Sequence, residues 1–253
     1  NRSRIKFLVA KIGIEEFTNL VTEERKVLKH DPKWLSLVKE CLLKKEVPSE
    51  DSRPLDIEKQ SADFKLWHQF NVRPQSQKNY SAVTIVLPLG DLISKQMRQL
   101  ADVTRKYTTG TIRTTVEQNC VLRWISNHQL PNLFEDLREI LLSTVGAGTI
   151  SDVVTCPGTD TCKLGMAASR GLGDVLRDKY IKLGKNLDPE IRKLHIKISG
   201  CFNSCSQHHV ADIGFWGNGR SVNGYKVPHF QVMIGGKWEE NGADYGLAIG
   251  AIP

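Results

Sequence analysis

The chain has 253 residues, enough for one large domain or two smaller ones with a hydrophobic core. With 40% hydrophobic and 25% charged residues it has an ordinary globular composition. No apolar run approaches the roughly 18 residues that a membrane helix needs. The net charge of +7 is spread along the chain and no aromatic–basic motif accompanies it, which argues against a nucleic-acid binder. A mild positive field suits a small anion or an acidic protein partner.

The first 60 residues read as helical. "IGIEEFTNLVTEERKVL" sets Ile14, Phe17, Val21 and Leu28 near a 3.6-residue period. "DPKWLSLVKECLLKK" follows, with Asp31 as N-cap and Pro32 at the first helical position. "EVPSEDSRP" reads as a linker. From about residue 62 the pattern changes. "YSAVTIVLPL" is β-branched and apolar, a buried strand, and "DLISKQMRQLADVTRKY" predicts a helix capped by Asp91. "GTIRTTVEQNCVLRWIS" predicts a strand pair and "LPNLFEDLREILLSTV" a further helix. Next, "CKLGMAASRGLGDVLRDKY" reads as a helix beginning beside Cys162, and "KLHIKIS" as a strand running into "GCFNSC". "HVADIGFWG" and "VPHFQVMIGG" are strands separated by a turn within "NGRSVNGYK".

Four of six cysteines fall in two tight pairs, Cys156 and Cys162 in "TCPGTDTC" and Cys201 and Cys205 in "CFNSC". Disulfides, structural zinc and a 4Fe–4S cube are the competing explanations. The absence of a secretory signal and the two cysteines left over, Cys41 and Cys120, weigh against disulfides. A C-x5-C spacing is wide for zinc, whose ligands close on one atom, and better suited to the separated corners of a cube. Spacing alone leaves zinc and the cube both open. Gly158, Gly165, Gly200, Asn203 and Ser204 beside the cysteines would let backbone amides approach inorganic sulfide, although turn formation explains them equally well. Cys41 and Cys120 are expected to behave as small buried hydrophobes.

"TCPGTDTCKLGMAASRGL", "KISGCFNSCSQHHVADIGFWG" and "VPHFQVMIGG" resemble the iron–sulfur half of the siroheme-dependent nitrite and sulfite reductases. "NVRPQSQKNYSAVTIVLPLG" through "TIRTTVEQNCVLRWI" is similar to that family's repeated half-domain, and "NRSRIKFLVAKIGIEEFTNLV" to the passage joining its two repeats. The resemblance implies an α+β chain: a helical joining segment over 1–61, a ferredoxin-like half-domain over 62–148, and an α/β sandwich domain carrying the 4Fe–4S and siroheme site over 149–253. It implies that Cys156, Cys162, Cys201 and Cys205 ligate the cluster, with Cys205 also the thiolate that bridges to the siroheme iron. Asn203 is a candidate contact to the macrocycle. His208 and His209 are expected to be ordinary hydrogen-bonded histidines rather than proton donors, and Arg113, Gln118 and Asn119 to serve packing. Two departures stand out: Phe202 replaces a common proline, and "CSQHH" replaces a stretch that often contains glycine.

The implied reaction is six-electron reduction of sulfite to sulfide or nitrite to ammonia, with ferredoxin or a flavoprotein as electron donor. The basic residues that grip the anion belong in the family to the first repeat, so this chain is expected to be the second half of a longer reductase and to need that N-terminal half. An iron–sulfur electron-transfer module without siroheme is the alternative. Thiolate ligation and the lack of a targeting segment imply a cytoplasmic protein, with no nucleic-acid or membrane partner.

Overall fold

The computed structural model describes residues 5–29, 31–43, 48, 52–239 and 242–253. The chain forms two compact units, residues 1–45 and 46–253.

The first unit contains α1 (Ile5–Ile12), α2 (Ile14–Val27) and α3 (Pro32–Leu43). Gly13, at a φ of 85°, divides α1 from α2. Asp31 caps α3 as expected, its Oδ1 accepting from the Lys33 amide at 2.9 Å. Among the described residues of this unit none is buried. Ile14, Val21 and Leu28 of the apolar stripe read from the sequence are exposed, as are Trp34, Leu35 and Val38 of α3. Cys41 is exposed too, contrary to expectation, because α3 has no core of its own to bury it.

The second unit begins its regular structure with α4 (Ala62–Asn71) and β1 (Val72–Pro74), neither of which the sequence pattern announced. β2 (Tyr80–Ile85), α5 (Ser94–Tyr107), β3 (Arg113–Thr114), β4 (Cys120–Ser126) and α6 (Leu130–Glu139) follow. The strands make an antiparallel sheet in the order β1-β2-β4-β3. Its core combines Val83 and Ile85 on β2, Leu122 and Ile125 on β4, and the inner faces of all three helices. Phe134 of α6 meets Phe64 edge-on at 5.7 Å and Trp67 at 5.2 Å, tying α4 to α6. Leu55 and Ile57 also pack on this core, so part of the stretch assigned to the joining segment folds with the sheet. Asp91 does not cap α5, which starts at Ser94. Its carboxylate is instead paired with Arg170.

The remaining elements are β5 (Val154–Thr155), α7 (Ser169–Leu183), α8 (Pro189–Arg192), β6 (Ile196–Ser199), β7 (Ile213–Val222), β8 (Tyr225–Ile234), β9 (Lys237–Glu239), β10 (Gly242–Asp244) and β11 (Leu247–Ile252). Five of these strands form a mixed sheet in the order β11-β8-β7-β6-β5. β5, β6 and β7 run parallel, whereas β7, β8 and β11 alternate. The turn expected within "NGRSVNGYK" is only the pair Asn223–Gly224, both at positive φ, and the flanking residues extend the β7–β8 hairpin. β6 is buried along its whole length. Ile196, Ile198, Phe215 and Phe230 build the second core, on which Leu172, Leu176 and Tyr180 of α7 pack. Among the described residues no helix is long and apolar enough to cross a membrane.

Two amides join the sheets. The Gln118 side chain donates to the Thr155 carbonyl at 2.7 Å and accepts from its amide at 3.2 Å, pairing with β5 as a strand would. Asn119 accepts from the Leu87 amide at 2.9 Å and donates to Asp152 Oδ2 at 2.8 Å. The Gly148 amide also donates to that oxygen, at 2.9 Å. The packing role expected for Gln118 and Asn119 is what the structure shows. Burial raises the Asp152 pKa from 3.8 to about 6.

A raised carboxyl pKa means that between about pH 4 and 6 the folded chain binds a proton that the unfolded chain has released, so Asp152 costs stability as pH rises through that window. In urea unfolding, Asp152→Asn should gain on the parent between pH 4 and pH 7 by about 1–3 kcal/mol. A constant difference would show that the buried carboxyl is not linked to folding.

Candidate cluster site

Both cysteine pairs lie beyond the carboxyl ends of adjacent parallel strands. The register sets Thr155 of β5 against Ile198 of β6. Cys156 therefore leaves the sheet beside the end of β6, its amide donating to the Ile198 carbonyl at 3.1 Å. Cys201 lies two residues beyond Ser199, the last residue of β6. Crevices at the carboxyl ends of parallel strands are the usual ligand sites of such sheets.

Backbone contact without intervening side chains locks the two loops together. The Met166 and Ala167 amides both donate to the Gly200 carbonyl, at 2.7 and 3.1 Å. A Cβ on Gly200 would lie 2.6 Å from Gly158 Cα and 2.9 Å from the Ala167 carbonyl oxygen. A Cβ on Gly165 would lie 2.7 Å from the Gly158 carbonyl carbon. Only glycine allows backbones this close. The helix expected to begin beside Cys162 starts instead at Ser169, seven residues later. Residues 162–168 are withheld from it because two of their amides bond Gly200.

The six cysteines are free of disulfides; Cys156 and Cys201 are buried, Cys162 and Cys205 exposed. The Gly200 amide donates to Cys156 Sγ at 3.1 Å, and the Ser169 hydroxyl lies 3.5 Å from the same sulfur while donating to the Cys156 carbonyl at 2.7 Å. The Asn203 side-chain amide donates to Cys201 Sγ at 3.3 Å. N–H donors on sulfur are the outer contacts that orient and tune a metal-bound cysteine. Among the described residues, no three His, Cys, Asp or Glu side chains are grouped as ligands of a single metal ion. Four sulfurs on two interlocked loops, with N–H donors on the buried pair, fit a cluster that takes its ligands at separate corners.

The histidines serve this scaffold. His208 is fully buried, within 2.8 Å of the Ser199 hydroxyl through Nδ1 and stacked over Trp216 at 6.3 Å. Burial, and then the neighbouring His209, lower its pKa to about 3, so it remains neutral near physiological pH. His209 Nδ1 is 2.8 Å from the Ser204 hydroxyl. In "CSQHH", Gln207 adopts a φ of 62°, a conformation glycine takes without cost, and Lys197 Nζ anchors its side chain at 2.9 Å. Phe202 is about half exposed. Arg113 lies exposed on edge strand β3, in the other sheet from the cysteine loops. Cys120 is buried, which pushes its thiol pKa up, and it lines a cavity of about 510 Å³ that also reaches Cys156 and Arg170. Ser169 escaped sequence reasoning, because only the fold carries it back to Cys156.

Residues 73–140 match the nitrite/sulfite reductase ferredoxin-like half domain, and residues 146–246 the nitrite and sulphite reductase 4Fe-4S domain. The chain belongs to the nitrite/sulfite reductase family. It is 27% identical over 239 residues to ferredoxin–nitrite reductase of Synechococcus elongatus, covering 93% of this chain and 40% of that protein. It is 28% identical over 244 residues to sulfite reductase [ferredoxin] 2 of Mycolicibacterium paratuberculosis, covering 93% and 38%. The solved structure of the Mycobacterium tuberculosis NirA protein shares the fold, with a TM-score of 0.64 at 24% identity over 98% of this chain and 42% of that one. The chain thus spans about 40% of the length of the Synechococcus relative. Membership of this family supports both cofactors anticipated from the sequence, a 4Fe–4S cluster and siroheme.

The glycine lock gives a direct test. Gly200→Ala would press a methyl against backbone that cannot swing aside and should cost more than about 2 kcal/mol, with loss of iron and acid-labile sulfide. Gly171→Ala, exposed on α7 with its nearest neighbour at 3.6 Å, should be stabilising by about 0.5–1 kcal/mol and leave metal content unchanged. Equal metal content in both variants would refute the lock.

Proposed function

We propose that this chain supplies the cluster and the bridging thiolate of a reductase that takes sulfite to sulfide or nitrite to ammonia. The observation that carries the reading is the meeting of the two cysteine loops at the ends of β5 and β6, with amide donors on the Cys156 and Cys201 sulfurs. Cys156, Cys162, Cys201 and Cys205 would ligate the 4Fe–4S cluster, and Cys205 would also bridge to the siroheme iron. When bound, the two cofactors would relay the six electrons delivered by the external donor and supply the iron at which the anion is reduced. The chain's own part is to fix the thiolates, to exclude water from Cys156 and Cys201, and to leave Cys162 and Cys205 on the exposed side.

The relatives' names support a ferredoxin as electron donor and an oxidised nitrogen or sulfur anion as substrate, without deciding between nitrite and sulfite. A flavoprotein donor fits the same thiolate chemistry. The residues that bind the anion would come from an N-terminal half of the same reductase, and the assembled enzyme would act in the cytoplasm. The unburied apolar faces of α1, α2 and α3 are consistent with a unit that packs against further protein.

An anaerobic visible spectrum, with iron and acid-labile sulfide counts, tests the reading. Siroheme bands with about four non-haem irons support it; a cluster without macrocycle indicates an electron-transfer module, and zinc without sulfide ends it. Cys205→Ser should abolish the coupled haem–cluster spectrum, while Cys120→Ser should leave both cofactors in place. A normal spectrum in Cys205→Ser would overturn the bridging assignment.

A further inference from the structure

We infer that Asn203 sets the reduction potential of the cluster through its hydrogen bond to the Cys201 sulfur. The inference rests on the ligand assignment proposed above and adds a role for a side chain that the family resemblance makes a candidate contact to the macrocycle.

The geometry distinguishes this contact from the others at the site. The Gly200 amide that reaches Cys156 belongs to the backbone, and the Ser169 hydroxyl is already engaged by the Cys156 carbonyl at 2.7 Å. Asn203 Nδ2 is a side-chain N–H donor directed at a buried ligand sulfur, 3.3 Å from Cys201 Sγ. Its backbone position is fixed independently: the Gln207 amide donates to the Ser204 carbonyl at 2.9 Å, and Ser204, at a φ of 57°, is within 2.8 Å of His209 Nδ1 through its hydroxyl. Removing the amide group therefore takes away the donor without releasing the loop.

The physical effect has a definite sign. Adding an electron to a thiolate-ligated cluster raises negative charge on its sulfurs, and a donor on a ligand sulfur stabilises the reduced state more than the oxidised one. Burial strengthens the difference, since Cys201 is 6% exposed and water cannot replace the lost donor. Asn203 acts through Cys201, so it is a positioning residue whose signature is a potential.

The test is a reductive titration of the holoprotein, followed by electron paramagnetic resonance of the reduced cluster, for the parent, Asn203→Leu and Asn203→Gln, with iron and sulfide counted in each. At fixed ambient potential the reduced-to-oxidised ratio of Asn203→Leu should fall about three- to tenfold, tenfold being about 59 mV for one electron. Asn203→Gln, which keeps the donor, should recover part of it. Fully loaded parent and Asn203→Leu with the same potential would overturn the inference while leaving the proposed function intact. If leucine prevents loading, Asn203→Ala, which adds no bulk, carries the same comparison. Failure of Asn203→Ala to load would also overturn the inference, by making the side chain an assembly contact. A parent protein that binds no iron and sulfide would instead overturn the function itself.

Discussion

The close approach of two backbones at Gly158 and Gly200 is the contact on which the site depends. Parallel pairing of β5 with β6 brings the ends of two strands side by side, but strand pairing alone leaves the following loops free to diverge. Bonding of the Gly200 carbonyl by two amides from residues 166 and 167 removes that freedom. Any side chain between the loops would separate them, whatever its chemistry. The relative placement of the two cysteine loops is thus decided by steric absence.

The half-domain contributes through its attachment to the same sheet. Gln118 completes the free edge of β5 with a side-chain amide, and Asn119 bridges the Leu87 backbone to a buried carboxyl. Both belong to the tight segment between β3 and β4, where Gln118 has a φ of 64°. A residue in that conformation would be disfavoured in an isolated loop and is retained where surrounding contacts over-determine it. The strand that presents Cys156 is consequently held on one side by β6 and on the other by an amide from the other sheet.

The sequence revealed those features whose cause is local. Alternation in "KLHIKIS" and "VPHFQVMIGG" announced β6 and β8, and Asp31–Pro32 announced the start of α3. Cysteine spacing located both loops. It failed where distant contacts override local preference. "GMAAS" is rich in helix-favouring residues, yet its amides bond Gly200, and α7 begins only at Ser169. Asp91 had the right chemistry for a cap and was drawn to Arg170. β5, at two residues, and β11, interrupted by a bulge near Gly250, are too short or too irregular to show a period. The burial of Cys120 and exposure of Cys41 have the same origin: one lies over a core and the other on a helix without one.

The segment around Cys205 shows how side chains can hold a backbone path that glycine would take more easily. The backbone on either side of Cys205 passes through left-handed conformations at Ser204 and Gln207, where non-glycine residues carry strain of about 1 kcal/mol each. Each strained residue has a polar tether: Ser204 to His209, and Gln207 to Lys197. Lys197 is 8% exposed on β6, and burial lowers its pKa. A buried ammonium needs an oxygen partner, and a side-chain carbonyl at position 207 provides one that glycine could not. Glutamine at this position therefore exchanges backbone ease for satisfaction of a buried cation, and the path that carries Cys201 and Cys205 is kept.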